Sequence, residues 1–218
     1  MTDAIACRIF YLGMAKPHSL DTKEPSEPER LSDRAIDNLR YIRETMERSS
    51  SFTAVPGYGG MLMGVTAIAA AYVASLQPTK EAWLIAWLAE ATLAAAIGLL
   101  AMWQKSRIVG QSLFSAQGRK FAFGFAPPLM AGVAITLGLF RYLQYEVMVP
   151  VWMLCYGAAV VTGGAVSVKA VPIMGWLFIT AGIAAFTMPS AFGNYFMAAT
   201  FGLLHVIFGA IIARRYGG

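Results

Sequence analysis

The longest apolar stretch of the chain is 170–213, AVPIMGWLFITAGIAAFTMPSAFGNYFMAATFGLLHVIFGAIIA, which contains no Asp, Glu, Lys or Arg. A continuous helix of this length would extend about 66 Å, roughly twice the thickness of the hydrocarbon core of a bilayer. The stretch must therefore turn back on itself, and the residues Pro189–Asn194 are typical of a turn. We predict one membrane span on each side of that turn, near 171–188 and near 195–213.

Four more apolar segments precede this stretch, and each is bounded by polar or charged residues. A helix needs about 20 apolar residues to cross the hydrocarbon core, where water cannot satisfy bare backbone groups. We therefore expect each segment to be a transmembrane helix, with spans at 57–76, 82–103, 121–140 and 149–168. The sequence predicts an all-α, polytopic membrane protein whose six transmembrane helices occupy residues 57–215.

The composition agrees with a membrane domain. The mean hydropathy is +0.57 and 13% of the 218 residues are charged, which is about half the share found in soluble proteins. A net charge of +5 would suggest nucleic-acid binding in a soluble protein. Here the basic residues flank apolar spans, so we predict the lipid bilayer and no nucleic acid as a partner.

Six spans divide the basic residues unequally between the two sides of the membrane. Fifteen of the seventeen fall on the side of both chain ends, and only Lys80 and Arg141 fall on the other side. The positive-inside rule then predicts cytoplasmic N- and C-termini. We expect the bacterial inner membrane, with the first span directing insertion, because the N-terminal region does not resemble a signal peptide. Trp83, Trp103 and Trp152 lie near span ends, where interfacial anchors are expected.

The region before the first span divides into three parts. Residues 1–31 are rich in proline and charge and are predicted to be a flexible segment. Residues 32–48 are predicted to form a cytoplasmic amphipathic helix that lies on the membrane surface or pairs with a partner. Its apolar residues recur at helical spacing: Ile36, Leu39, Ile42 and Met46. Residues 49–56 are a connector that either plugs the cytoplasmic mouth of the bundle or satisfies its own backbone.

A repeated pattern indicates that the six spans form three consecutive hairpins. Each odd span has a proline before a glycine, and each even span ends at a basic residue after a glycine. The last hairpin is punctuated by Gly175, Gly182, Pro189, Gly202 and Gly209. This pattern resembles the hairpin unit of the HdeD family of six-span bacterial membrane proteins, over about the final forty-five residues. The resemblance implies a six-helix inner-membrane protein linked to acid stress, and it supplies no catalytic motif.

Two titratable residues fall inside predicted spans, Glu90 in the second and His205 in the sixth. An intramembrane carboxylate is costly, so Glu90 is either a proton or substrate site or a hydrogen-bonded carboxyl that joins helices. The candidate partners for such a bond are Thr66, Thr162 and Tyr156. Counting from the basic ends of the spans, Glu90 and His205 differ in depth by about 9 Å, so we do not expect direct contact.

Glycines form two candidate packing faces. Gly60 and Gly64 make a GxxxG pair on the first span, and Gly157, Gly163 and Gly164 make a small-residue face on the fourth. Such faces allow helix backbones to approach closely. They would serve packing within the chain or a homodimer, and packing within the chain is favoured.

The sequence contains no motif of a known catalytic centre. Cys7 and Cys155 lack metal-ligand spacing, and a lone membrane histidine cannot supply a bis-histidine haem site, so no metal or cofactor is predicted. We predict a non-enzymatic membrane scaffold or accessory protein that contacts another membrane protein or itself. The alternatives are a small transporter or proton-coupled channel that uses Glu90, and a membrane enzyme that acts on lipid or quinone.

Overall fold

The structure is a computed structural model that describes residues 27–49 and 51–217. Within this part of the chain there are seven helices and no strands, apart from one isolated bridge between Phe52 and Ser167. Six of the helices are long and apolar enough to cross a membrane, which confirms the predicted fold class. The helices are α1 (Glu27–Ser49), α2 (Gly57–Ser75), α3 (Lys80–Ile108), α4 (Ala116–Arg141), α5 (Tyr145–Gly164), α6 (Ala170–Thr187) and α7 (Ser190–Tyr216).

Helix α1 begins earlier than the sequence predicted. Its first residue, Glu27, lies inside the stretch 1–31 that was expected to be flexible. Pro28 is compatible with a helix start, because an amide in the first turn has no acceptor within the helix and the fixed φ of proline suits that position. Residues 1–26 lie outside the described residues, so flexibility there stays a prediction.

The membrane helices form two groups of three. Helix α2 packs against α3 and α7, and α5 packs against α4 and α6. Two of the three predicted hairpins, α2 with α3 and α4 with α5, are therefore antiparallel packed pairs. The third pair is consecutive in the sequence, but α6 packs chiefly on α5 and α7 chiefly on α2. The last hairpin thus links the two groups instead of forming a separate unit.

Glycines account for this choice of neighbours. A Cβ atom added at Gly64 of α2 would lie 2.5 Å from the carbonyl oxygen of Gly202 in α7. A Cβ atom added at Gly157 of α5 would lie 2.8 Å from the carbonyl oxygen of Gly175 in α6. Side chains do not tolerate such distances, so both crossings depend on the absence of a Cβ.

The other predicted packing glycines also face helices of the same chain. A Cβ at Gly163 would lie 2.9 Å from the Cβ of Phe125 in α4, and one at Gly164 would lie 2.7 Å from a methyl carbon of Val171. Gly60 is looser, because its added Cβ would first meet Cα of Gly209 at 3.5 Å. A Cβ atom at position 60 would therefore make only ordinary van der Waals contacts.

The apolar core lies along α5, α6 and α7, where the two groups meet. Phe178 and Met153 are fully enclosed, and Val160 nearly so. Smaller clusters fill the two ends of the membrane domain, one around Phe52 and one around Met148. The largest core cluster is therefore built at the junction of the groups and not within either one.

Candidate functional site

Glu90 lies near the middle of α3 and is joined to α2. Its Oε1 atom is 2.8 Å from Oγ1 of Thr66, and the side chain is buried. The same hydroxyl lies 2.9 Å from the carbonyl oxygen of Met63 in its own helix. A threonine hydroxyl has one proton, so it donates either to an ionised Glu90 or to Met63, and in the second case a protonated Glu90 donates to it. One hydroxyl can thus satisfy either protonation state of the carboxyl.

His205 lies in α7 and is paired with a tyrosine. Its Nε2 atom is 2.7 Å from the hydroxyl oxygen of Tyr156 in α5, and its ring packs against Phe178 and Phe201. Within the described residues Nδ1 is buried without a hydrogen bond of normal geometry, although the carbonyl groups of Thr200 and Phe201 lie near the ring. The tyrosine–histidine pair therefore ties the two helix groups together.

A wide helical turn precedes this histidine. Residues Ala198–Leu204 of α7 adopt π-helical geometry, and His205 is the first residue after them. π-Helical insertions are uncommon and often mark functional positions. Here the insertion lies in the stretch where Gly202 contacts α2 and Phe201 contacts Tyr156, so it serves contacts on two sides of α7.

The structure does not bring Glu90 and His205 together. Of the three candidate partners, Thr66 bonds to Glu90, Tyr156 bonds to His205, and Thr162 bonds to the carbonyl oxygens of Gly124 and Ala158. Two open hollows on the described part of the chain are lined by neither titratable residue. The same residues contain no cluster of three His, Cys, Asp or Glu that could hold a metal ion, and Cys155 is a free thiol. Cys7 lies outside the described residues.

A cluster of hydrogen-bonded loops lies where α2 begins and α7 ends. We call this the basic end of the membrane domain, defined by Lys105, Lys169 and Arg214. The connector from Ser51 to Pro56 packs inward here, with Phe52 1% exposed and Ala54 fully enclosed. The Phe52 ring contacts that of Phe121 in α4 at a centroid distance of 5.1 Å. A segment that could have been a loose linker therefore forms part of the buried interior.

Neighbouring loops supply the hydrogen bonds of the connector. The amide of Phe52 donates to the carbonyl oxygen of Val166 at 2.7 Å, and the hydroxyl of Ser167 donates to the carbonyl oxygen of Phe52 at 2.8 Å. The amide of Thr53 donates to Oε1 of Gln111 at 2.9 Å. These backbone groups of Phe52 and Thr53 are therefore satisfied by the α5–α6 and α3–α4 loops.

Lys105 completes the attachment of the connector. Its ammonium donates to the carbonyl oxygens of Val55, at 2.9 Å, and of Gly217, and only 3% of the residue is exposed. This side chain joins α3, the start of α2 and the tail after α7. The sequence analysis assigned Lys105 to a cytoplasmic loop, but it lies in the last turns of α3. Nothing in the sequence pattern predicts that it is buried.

Two tryptophans also behave differently from the sequence prediction. Trp83 and Trp152 were expected to anchor span ends at the lipid interface. Their rings stack on each other at 5.6 Å, and their indole nitrogens donate to Asn194 and Thr136 respectively. These partners lie on other helices, so the two indoles join elements of the protein. Trp103 is half exposed, as an interfacial anchor would be.

No protein-family model matches this chain, and neither curated proteins nor solved structures provide a match.

Proposed function

We propose that this protein is a non-enzymatic membrane scaffold or accessory subunit that binds a partner protein through α1. The observation that carries the proposal is the exposed apolar stripe of that helix, formed by Ile36, Leu39 and Ile42. Each of these side chains is more than half exposed. Their spacing places them on one face, where they can pack into a groove or against another helix.

The charge of α1 favours a protein over a membrane surface. Between Glu27 and Ser49 the helix has five arginines and six carboxylates. Interfacial helices that bind anionic lipid carry a predominantly basic polar face. A helix of mixed charge, with a net charge of −1, suits complementary ion pairs with a partner helix better.

The polar groups within the membrane domain support an anchoring role. Glu90 and His205 are each held by a hydroxyl of a neighbouring helix, and such bonds join helices without requiring a transported ligand. The domain would then hold the protein in the bilayer and present α1 to its partner.

Site-specific photo-crosslinking in native membranes tests the role of the stripe. A photo-reactive amino acid at Leu39 or Ile42 should give one defined protein adduct, whereas the same probe at Arg34 or Asp37, on the opposite face, should not. Co-expression of two differently tagged copies would show whether the partner is a second copy of this chain.

A matched pair of substitutions tests whether the adduct reflects a specific complex. Leu39→Glu should abolish the adduct formed from Ile42, and Arg34→Glu should leave it unchanged, with both variants inserted at equal amounts. Equal adducts from all four probe positions, or adducts with lipid alone, would contradict the proposal.

We also propose that the protein resides in a bacterial inner membrane with both termini in the cytoplasm. The support is the uneven division of basic residues between the two sides. A reporter that is active only in the cytoplasm should be active when fused after Gly218 and inactive when inserted between Pro78 and Thr79. The reverse result would overturn the orientation.

A second candidate function is proton-coupled transport through Glu90. The observation in its favour is the single Thr66 hydroxyl, which can satisfy the carboxyl in either protonation state. Purified protein in liposomes with an internal pH-sensitive dye would then carry a proton flux that Glu90→Gln abolishes and Glu81→Gln preserves. A flux that is absent in the native chain, or equal in both variants, would reject this function.

A further inference from the structure

The turns that face away from the basic end enclose an open cleft. We call this the opposite end of the membrane domain, defined by the turns 76–79, 142–144 and 188–189. Two adjoining hollows of about 280 Å³ and 200 Å³ lie there. They share Glu146, Val149, Ser190 and Gly193 in their walls, so they form one continuous depression.

The larger hollow has one side chain of each charge. Lys80 and Glu146 are its charged lining residues, and their Nζ and Oε1 atoms are 4.0 Å apart. Their side chains are 59% and 67% exposed, so the ion pair contributes little stability and can separate around a ligand. An isolated anion or cation would meet an opposing charge, whereas a zwitterion could match both groups.

Asn194 adds a fixed hydrogen-bond donor to this hollow. Its Oδ1 atom accepts from the indole nitrogens of Trp83 at 2.8 Å and Trp87 at 3.3 Å. Indole nitrogens only donate, so the amide must turn its oxygen towards them and its Nδ2 away. Nδ2 has no hydrogen-bond partner among the described residues. Both of its protons therefore remain for a ligand in the cleft that Asn194 lines.

Most of the side chains that line the smaller hollow are apolar. Its walls include Val149 and Pro150 of α5, Ala185 and Phe186 of α6, and Phe196 of α7. Phe186 is half exposed, so this surface continues onto the outside of the bundle. A charged pair beside a wall of apolar side chains fits a molecule with a charged head and a hydrocarbon tail.

We propose that this cleft binds a phosphate–ammonium zwitterion, with the ethanolamine headgroup of a phospholipid as its source. The phosphate would lie beside Lys80 and Nδ2 of Asn194, and the primary ammonium beside Glu146. The first part of an acyl chain would follow the apolar side chains of the smaller hollow. The larger hollow is slightly below the usual size range for drug-sized ligands of about 300–1,000 Å³, and it suits a headgroup.

Binding can be measured by native mass spectrometry and thermal unfolding of the delipidated full chain in detergent. Phosphatidylethanolamine should bind and raise the melting temperature. Phosphatidylglycerol, which lacks the ammonium, should bind at least about tenfold more weakly, in line with the loss of one charge-assisted hydrogen bond. Free phosphoethanolamine is the second arm. If it binds as tightly as the lipid, the zwitterion site is supported with a soluble solute as its source.

Substitutions in the cleft separate a built site from general lipid affinity. Lys80→Gln and Glu146→Gln should each weaken phosphatidylethanolamine binding about tenfold, because each removes one charged contact. Arg141→Gln, at the same end but outside the cleft lining, should have no effect. Equal affinity for the two lipids, or unchanged affinity in both cleft variants with native melting temperatures, would overturn the proposal.

Discussion

The two ends of the membrane domain are built on different principles. At the basic end, hydrogen bonds to Phe52 and Thr53 and from Lys105 join the connector to two loops and to the tail after α7. At the opposite end the turns are short, and side chains such as Asn194 and Lys80 line an open cleft. Long segments can fold over a helical bundle and bury their backbones, whereas short turns leave gaps between helix ends.

This contrast indicates how each end can function. At the basic end, the connector is hydrogen-bonded to several elements and cannot move without breaking those bonds. A movement of α1 could therefore be passed through the connector to the membrane helices. An open end suits the binding of a small molecule, because unused donors and acceptors face solvent or headgroups. Perturbing the ends separately should therefore have different consequences, and four substitutions test this, in decreasing order of expected effect.

Phe52→Ala should have the largest effect. Loss of this enclosed ring from contact with Phe121 should lower the free energy of unfolding by about 3–5 kcal/mol, as for other large-to-small core changes. Denaturant unfolding in detergent micelles, followed by circular dichroism, measures this change. Phe114→Ala is the matched control, because Phe114 is exposed and its loss should cost less than about 0.5 kcal/mol. Equal stability of the two variants would show that the Phe52 ring does not stabilise the basic end.

Gly64→Ala should come next, and it should disturb both ends. The new Cβ would meet backbone atoms of α7, which cannot move as a flexible side chain can, so a cost of about 2–3 kcal/mol is expected. Gly60→Ala should be neutral, because its Cβ would find 3.5 Å of space. Thermal unfolding compares the two variants. A similar loss in both would mean that α2 and α7 do not cross at Gly64.

Lys105→Gln should loosen the basic end by about 2 kcal/mol. A neutral, shorter side chain would leave the carbonyl oxygens of Val55 and Gly217 without their donor. Faster hydrogen exchange at the amides of Phe52 and Thr53 is the local measurement. Lys120→Gln, at an exposed position, should leave that exchange unchanged. Equal protection in the two variants would remove Lys105 from the attachment of the connector.

Asn194→Ala should have the smallest effect, about 1 kcal/mol, and it should be confined to the opposite end. The change removes the shared acceptor of Trp83 and Trp87 but leaves a half-buried region that water can reach. A red shift of tryptophan fluorescence should accompany it. Gln77→Ala is the control, because Gln77 bonds only within its own helix region. Hydrogen exchange at the amide of Phe52 should not become faster in either variant. Faster exchange there would mean that the two ends are coupled.

Much of the fold could be predicted from the sequence because the bilayer imposes a simple requirement. Uncharged stretches of sufficient length must be helical, and the last stretch is too long for one span, so it must turn at the turn-forming residues Pro189–Asn194. The start of α1 was missed because Pro28 was interpreted as a linker residue. In the candidate site, Thr66 was one of three partners considered for Glu90, and the sequence could not choose among them. That choice depends on how two helices rotate about their axes.

The number and order of the membrane helices were determined by the sequence alone, since these depend on local composition and the thickness of the hydrocarbon core. Only the tertiary structure decided that α7 packs on α2, that Tyr156 bonds to His205 and that Lys105 is buried. Each of these contacts joins residues at least 49 positions apart. Such contacts are selected by the shapes of whole helix faces, which no short stretch of residues encodes.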